Sequence, residues 1–541
     1  MTAEPFAVPR PYYPVVIVGA GPTGLTLANL LGVFDIKCLI IERKAATVHE
    51  PRAVSIDDES LRTMQAAGIV QEVFAQTVAG YGSDYHSAGG GCFARVQPTG
   101  QPYGYPRRNA FRQPILERQL REALVRFPHV ASAFQNELLS FEQDSERVTL
   151  RVQRPDGREM EVACDYLVGC DGASSASRRA IGTTLGGSSF GERWLIVDLE
   201  NSPTRSRHTK VFCNPDRPCI ALPGPGQTRR YEFYLHPHER DEDLLKSEMV
   251  EHLLKTHDAD PGSRIVRQVI YTFHARIAER WSLGRVFLAG DAVHLTPPFA
   301  GQGMNSGIRD AYNLAWKLAA VARKELGPRL LDTYEIERRD HVGAMIDMAL
   351  RMGRVMAPRS RTEAFLVQNA FRLLGLYPPA RDYIAQMRFK PSPRFADGFL
   401  VPDGRSARKT LVGRLFPQPQ VLLPNGQSAL LDSVLGQGFS VVMRSGHSDI
   451  LSTIQADLAS MKPKLAVAAT LVVNGDDEVM RGAKLGVASV RAKNAQDWTS
   501  IPPGHVFLLR PDRYVMACIP ADRWHDGSSK IASLLAATFG R

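Results

Sequence analysis

Three carboxylates each close an apolar run in this chain. Glu42 follows Cys38-Leu39-Ile40-Ile41, Asp171 ends DYLVGCD, and Asp291 follows Val286-Phe287-Leu288-Ala289-Gly290. A carboxylate at the end of a buried strand can accept hydrogen bonds from the hydroxyls of a ribose or a ribityl chain. The stretch GAGPTG, residues 19–24, supplies the matching phosphate chemistry. In this pattern Gly19 makes the tight turn, Gly21 lets the backbone approach a pyrophosphate, and Gly24 lets helix and strand pack closely. The helix that follows turns its N–H groups and partial positive charge toward the phosphates. Glu42 lies 18 residues beyond Gly24 (42 − 24), the separation expected of a ribose acceptor. The first two features alone leave NAD and FAD both open. Asp291 and the bent segment PPFAGQGMN, residues 297–305, favour flavin. Backbone N–H groups and a helix N-terminus there would stabilise negative charge on a reduced isoalloxazine ring.

These residues need rigid elements behind them. Val15 to Val18 and Cys38 to Ile41 read as strands buried on both faces, with a helix over Gly24 to Leu31 between them, a βαβ unit. Ile115, Leu116, Leu120 and Leu124 place a helix over 112–127. A hairpin turning at Pro155-Asp156-Gly157 leads into a buried strand at Tyr166 to Val168. Short strands from Trp194 to His274 read as an antiparallel sheet inserted into the α/β unit. The helix after Asn305 carries the stripe Ile308, Ala311, Ala315, Leu318 and Ala322, which is core. Residues of about 330 to 390 read as helical, and Pro and Gly near 395–405 mark a linker to a small separate α/β region.

The chain has 541 residues, 44% of them hydrophobic, enough for a large composite core. Its net charge of +10 is scattered without a run of like charges, so it favours anionic small molecules over nucleic acid or a membrane surface. The seven cysteines are far apart, form no CxxC pair and suggest no metal site, which fits a reducing cytoplasm. Neither a signal peptide nor a membrane-spanning stretch is expected.

Taken together, GAGPTG…ER, CDGA and GRVFLAGDAVHLTPPFAGQGMNSGIRDAYNLAWKL resemble the three signatures of the class A flavoprotein aromatic hydroxylases, over roughly residues 14 to 350. PRAVSIDDESLRTMQAAG, FRQPILE and RRYEFYL are most similar to the 3-(3-hydroxyphenyl)propionate hydroxylase branch. The resemblance implies an α/β fold. A Rossmann-like FAD-binding domain of the glutathione-reductase type (1–80, 107–190 and 275–345) would carry an inserted antiparallel-sheet substrate domain (81–106 and 191–274). A helical connection (346–395) would lead to a C-terminal thioredoxin-like domain without redox cysteines (396–541).

By the same resemblance, Gly19, Gly21, Pro22, Thr23, Gly24, Glu42 and Arg43 would hold the ADP half of FAD. Arg52 and Gln113 would contact phosphates and ribityl chain. Asp171 would serve as a third cofactor acid, and Asp291 would bind the ribityl chain or pyrophosphate. Gly301, Gln302, Gly303, Met304 and Asn305 would hold the flavin ring, with Pro298 between ring and substrate. Ser174 stands where the family places Arg, so Arg178 or Arg179 would have to substitute.

The implied reaction hydroxylates a phenol ortho or para to its hydroxyl, with NADH or NADPH and O₂ as co-substrates. A phenol has a pKa near 10, so a base must draw its proton off at neutral pH. His49, three residues before Arg52, is the candidate base; His294 reads as a structural hydrogen-bonding group. Tyr231 is the candidate substrate contact, and Tyr234 reads the same way. Resorcinol, hydroxybenzoate or biphenylol remain open as substrates, as does a non-oxygenating flavin oxidase or sensor. A halogenase would need a second tryptophan two residues after Trp281, where Leu283 stands. A homodimer through the C-terminal domain is allowed by the sequence.

Overall fold

The computed structural model describes residues 11–47, 51–204, 206–444, 448–462, 464–473 and 487–540. Strand Tyr12–Val18 lies at the centre of the first sheet, parallel to Cys38–Glu42 on one side and to Glu159–Gly169 on the other. Val130–Phe134 extends the parallel array beyond Cys38–Glu42, and Val286–Leu288 extends it beyond Glu159–Gly169. Helices cover these strands, which is why their apolar runs are continuous rather than alternating. The parallel register brings the ends of four strands to one edge. Gly19, Glu42, Asp171 and Asp291 therefore emerge side by side, although 272 residues (291 − 19) separate the first from the last. Ligands of open parallel sheets bind at this edge.

Helix Pro22–Val33 is buried from Gly24 to Gly32, because it packs between that sheet and helix Gly303–Ala322. Thr23 is the close contact. A Cβ on either Gly290 or Gly307 would collide with its hydroxyl, so both glycines are required for the approach.

The second sheet has eight strands and is antiparallel, except where Thr209–Phe212 runs parallel to Ser83–His86. His294–Leu295 pairs with Arg264–Ala278, tying this sheet to the Asp291 turn. One face packs Leu195, Val197, Tyr231 and Phe233 against helix Ser247–Thr256. The other looks toward the first sheet across a cleft. Helices Thr333–Met356, Arg361–Leu376 and Pro378–Ala385 fill the region expected to be helical.

The C-terminal sheet is mixed. Phe439–Arg444, Val467–Val473 and Val487–Ala492 are parallel, and His505–Leu509 and Val515–Pro520 continue antiparallel. It is fastened to the rest by a buried ionic network. Arg510 donates to Glu337 at 2.6 and 2.9 Å and to Asp512 at 2.5 and 2.9 Å, and Lys317 reaches Glu337 at 2.7 Å. Burial pushes the Glu337 carboxyl up, but Arg510 and Lys317 outweigh it and hold it down to about 2. Among the described residues no helix is long and apolar enough to cross a membrane, and all seven cysteines are free.

Candidate active site

Two adjoining cavities of about 290 and 550 Å³ run along the carboxyl edge of the first sheet. They share Gly21, Arg52, Glu117, Cys170 and Gly172, so they form one trough. Glu42 and Arg43 stand at one end, and Pro298 and the second sheet at the other.

The glycine turn shows what the trough is shaped for. A Cβ on Gly19 would strike the Cys170 carbonyl, and one on Gly24 would strike the Gly19 carbonyl. A Cβ on Gly21 would meet no protein atom within 4 Å, so the space beside it is left for a ligand. No side chain caps helix Pro22–Val33, whose first-turn amides open toward that space. Glu42 accepts from the Ala20 and Lys44 amides, both at 2.9 Å, which fixes its carboxylate at the rim. These features fit a dinucleotide phosphate and ribose.

Arg52 lines both cavities, and its loop is pinned from below. Gln113 Oε1 accepts from the Arg52 and Ala53 amides at 3.2 and 2.7 Å, while Gln113 Nε2 donates to Glu117 at 2.7 Å. Asp171 also lines the trough but spends its carboxylate on its own loop. Ser175 Oγ donates to it at 2.5 Å and the Ser177 amide at 2.9 Å. The structure separates the two arginines that follow Ser174. Arg178 turns inward and donates to the carbonyls of Ala292 (3.0 Å) and Ala173 (2.7 Å), binding the Asp171 and Asp291 loops together. Arg179 lines the phosphate end and donates to the Ser174 carbonyl at 2.8 Å.

At the far end, Asp291 is exposed within the open trough, and the bulk of protein around the trough pushes its carboxyl up. The turn carrying it is held by Asp310, which accepts from the Gly290 amide (3.1 Å), His294 Nε2 (2.6 Å) and Arg338 Nε (2.9 Å). Burial pushes Asp310 up, but His294 and Arg338 outweigh it and keep it at about 2. His294 is thus a structural group behind the turn. Pro298, Gly301, Gln302, Gly303 and Met304 line the trough, and helix Gly303–Ala322 begins there without a side-chain cap. Gly301 holds a φ of +61°, a conformation that bends the loop back into the helix.

Asn305 is placed differently from the expectation for a ring contact. It is fully buried behind the loop. Its Nδ2 donates to Ser55 (3.0 Å) and Gly301 (2.6 Å) carbonyls, and its Oδ1 accepts from the Asp57 amide and Ser60 hydroxyl. It positions the loop rather than facing the cleft. Tyr231 is also displaced. It stacks on Phe233 in the core under helix Ser247–Thr256, on the face of the second sheet turned away from the trough. Tyr234 packs edge-on to Trp194. His49 lies outside the described residues.

Two side chains that sequence reasoning missed do face the trough. Arg108 lies 4.3 Å from the centroid of the Tyr81 ring and donates to Ser83 Oγ at 2.5 Å. Glu232 projects from the middle of the second sheet. Around them the lining is apolar, including Val211, Ile220, Leu222, Phe273 and Met352.

A family profile described as FAD binding domain matches residues 12–349, and one described as HcaD C-terminal domain matches residues 413–534. A 3-(3-hydroxy-phenyl)propionate/3-hydroxycinnamic acid hydroxylase of Klebsiella pneumoniae (strain 342) is 41% identical over 513 residues, covering 93% of this chain and 91% of the relative. The enzyme of that name from Escherichia coli (strain SMS-3-5 / SECEC) is 38% identical over 530 residues, covering 97% and 95%.

The chain belongs to the class A FAD-dependent aromatic hydroxylases.

Among solved structures, the flavin-dependent monooxygenase PieE superposes with a TM-score of 0.81 at 24% identity, covering 97% of this hydroxylase and 99% of PieE. Aklavinone-11 hydroxylase superposes with a TM-score of 0.78 at 24% identity, with the same coverages. At that identity the likeness shows the fold of this hydroxylase over nearly its whole length.

Proposed function

We propose that this hydroxylase acts on a phenol bearing a carboxylate side chain, of the 3-hydroxyphenylpropionate type, adding a hydroxyl ortho or para to the existing one in aromatic catabolism. The observation that carries the reading is the chamber beside Pro298. Its wall is largely apolar, with a guanidinium, Arg108, held on Tyr81. A carboxylate-bearing ring matches that pattern of apolar contact and charged hydrogen bond. The names of the relatives in Klebsiella and Escherichia point to the same class of substrate.

Bound FAD supplies electron transfer from NAD(P)H and the activation of O₂. The chain's own groups supply the rest. Gly19, Gly21, Pro22, Thr23, Gly24, Glu42, Arg43 and Arg179 bind the ADP half, and Arg52 and Asp291 bind its pyrophosphate and ribityl portions. The amides of Gly301 to Met304 place positive potential at the ring. Val211, Ile220, Leu222 and Phe273 exclude water from the reacting atoms.

The test is product identification with purified holoenzyme, NADH or NADPH, and a panel of 3-hydroxyphenylpropionate, 3-hydroxycinnamate, resorcinol, hydroxybenzoates and biphenylols. The expected product is a catechol or hydroxyquinol from a carboxylate-bearing phenol. Peroxide as the sole product with every phenol would refute the reading. Arg108→Ala should raise KM for a carboxylate-bearing phenol by roughly 10- to 100-fold, equivalent to losing about 1.5–3 kcal/mol of charged hydrogen bonding. Turnover of resorcinol, which has no carboxylate, should change little. An equal loss for both substrates would mean that Arg108 shapes the chamber and anchors nothing.

A further inference from the structure

We propose that the Glu232 carboxylate is the group that takes the proton from the substrate's phenolic hydroxyl. The inference rests on the reading of the chamber as a phenol site. In the transfer the O–H bond breaks, its proton forms a carboxylic acid on Glu232, and the electron pair stays on the ring oxygen. That oxygen then feeds charge to the ortho and para carbons, where the new hydroxyl is introduced.

The position of Glu232 is the first argument. Along Arg229–Leu235, Tyr231, Phe233 and Leu235 enter the core under helix Ser247–Thr256, so strand alternation turns Glu232 to the opposite face, onto the chamber wall. Its cross-strand neighbours are Ile196 and Ile220, both apolar. The residue is only 6% exposed. A buried carboxylate in an apolar wall costs free energy unless it is paired or has work to do.

The second argument is that the pairing is incomplete. No hydrogen bond among the described residues ends on the Glu232 carboxylate. The nearest cation is Arg230, at 3.9 Å. Arg230 is otherwise engaged: it donates to Asp198 at 2.7 and 3.1 Å and to the carbonyls of Arg52 and Pro51. It lies close enough to favour the charged form of Glu232 without occupying its lone pairs. Asp198 lies beyond Arg230 on the neighbouring strand and opposes ionisation. Across the chamber the charged or titratable groups are Arg52, Tyr81, Arg108, Glu117, Cys170 and Asp291. From the second sheet itself, Tyr85, Tyr271 and His274 also face it. Burial raises the Glu232 carboxyl most strongly, Arg230 pulls it back, and the balance sets it at about 7. A base in that range is half-charged at neutral pH and still accepts a proton from a hydroxyl held against it.

The experiment uses Glu232→Gln holoenzyme with flavin content checked first, since Gln keeps the shape and removes the base. At neutral pH, kcat for hydroxylated product should fall about 100-fold or more, the usual contribution of a positioned base, with KM little changed. The deficit should shrink as pH rises toward the phenol's own pKa. Substrate binding should produce phenolate absorption with wild-type enzyme at neutral pH and none with the variant. Glu232→Asp should recover part of it. Thermal unfolding gives an independent reading. A carboxyl whose folded pKa is raised stabilises the fold below its unfolded pKa, and that contribution is lost as pH rises through about 7. The Gln variant should therefore unfold at a higher temperature than wild type at pH 8 and not at pH 5. An unchanged pH profile and phenolate signal in Glu232→Gln, with both lost in His49→Gln, would overturn the proposal and assign the proton to His49. Absence of any hydroxylated product from wild-type enzyme would instead overturn the substrate reading itself.

Discussion

Gly21→Ala is expected to yield a folded protein that holds its flavin weakly. The new methyl meets no protein atom within 4 Å, so the strand–turn–helix unit stays as it is. It enters the space that a pyrophosphate would occupy. Forcing one methyl into a tight contact typically costs about 1–3 kcal/mol, which corresponds to roughly 5- to 150-fold weaker FAD binding. Gly24→Ala is the contrasting change. Its methyl would collide with the Gly19 carbonyl inside the protein, so stability falls together with flavin content. Flavin titration of the apoproteins and urea midpoints separate the two cases. If Gly21→Ala bound FAD as tightly as wild type, the cradle would not be where the pyrophosphate sits.

Arg510→Ala should lower stability by about 3–5 kcal/mol, because it takes a shared guanidinium from two buried carboxylates at once and leaves Glu337 with Lys317 alone to offset its charge. Glu337 and Asp512 would keep their burial and lose the guanidinium that spans them. Arg510→Lys should rescue only part of the loss, since an ammonium cannot match both carboxylates with a planar fork. The effect carries a pH signature. Glu337 sits at about 2 in the folded protein, below the ordinary value near 4.3. Its contribution is therefore complete above that ordinary value and fades as pH falls toward 2. Urea midpoints of wild type and variant should converge in acid. A constant gap from pH 7 to pH 3 would show that the loss came from packing rather than charge.

The local parts of this architecture are written in the chain because they rest on short-range physics. Val15–Val18 and Cys38–Ile41 announce buried strands by unbroken β-branched and apolar runs, and Gly19, Gly21 and Gly24 announce a turn that must come close to something. Which residues look into the chamber depends on contacts between segments far apart. Tyr231 and Glu232 are adjacent, and strand alternation alone says only that they face opposite ways. Helix Ser247–Thr256 decides that Tyr231 is covered. A signal was available: Tyr231, Phe233 and Leu235 form the greasier alternating set, and that set belongs in a core. Asn305 was misplaced for a related reason, since its motif neighbours line the cleft while its own amide is consumed by Ser55 and Gly301. Arg108 had no motif at all; only the fold stacks it on Tyr81. The thioredoxin-like label for the C-terminal region rested on resemblance, and what the structure displays there is a mixed sheet bolted on through Arg510.

The trough draws on residues from Val18 to Met356, and that span governs when it can exist. A nascent chain of 200 residues already contains the glycine turn, Glu42 and Asp171, yet it lacks the strand that delivers Asp291 and the helix that closes on Thr23. Closing contacts so distant in sequence is slow. Flavin can therefore reward only a nearly finished fold, by mass action on the native state. Cells short of riboflavin should accumulate intact, colourless enzyme that is more easily unfolded, and they should regain activity on repletion without new synthesis.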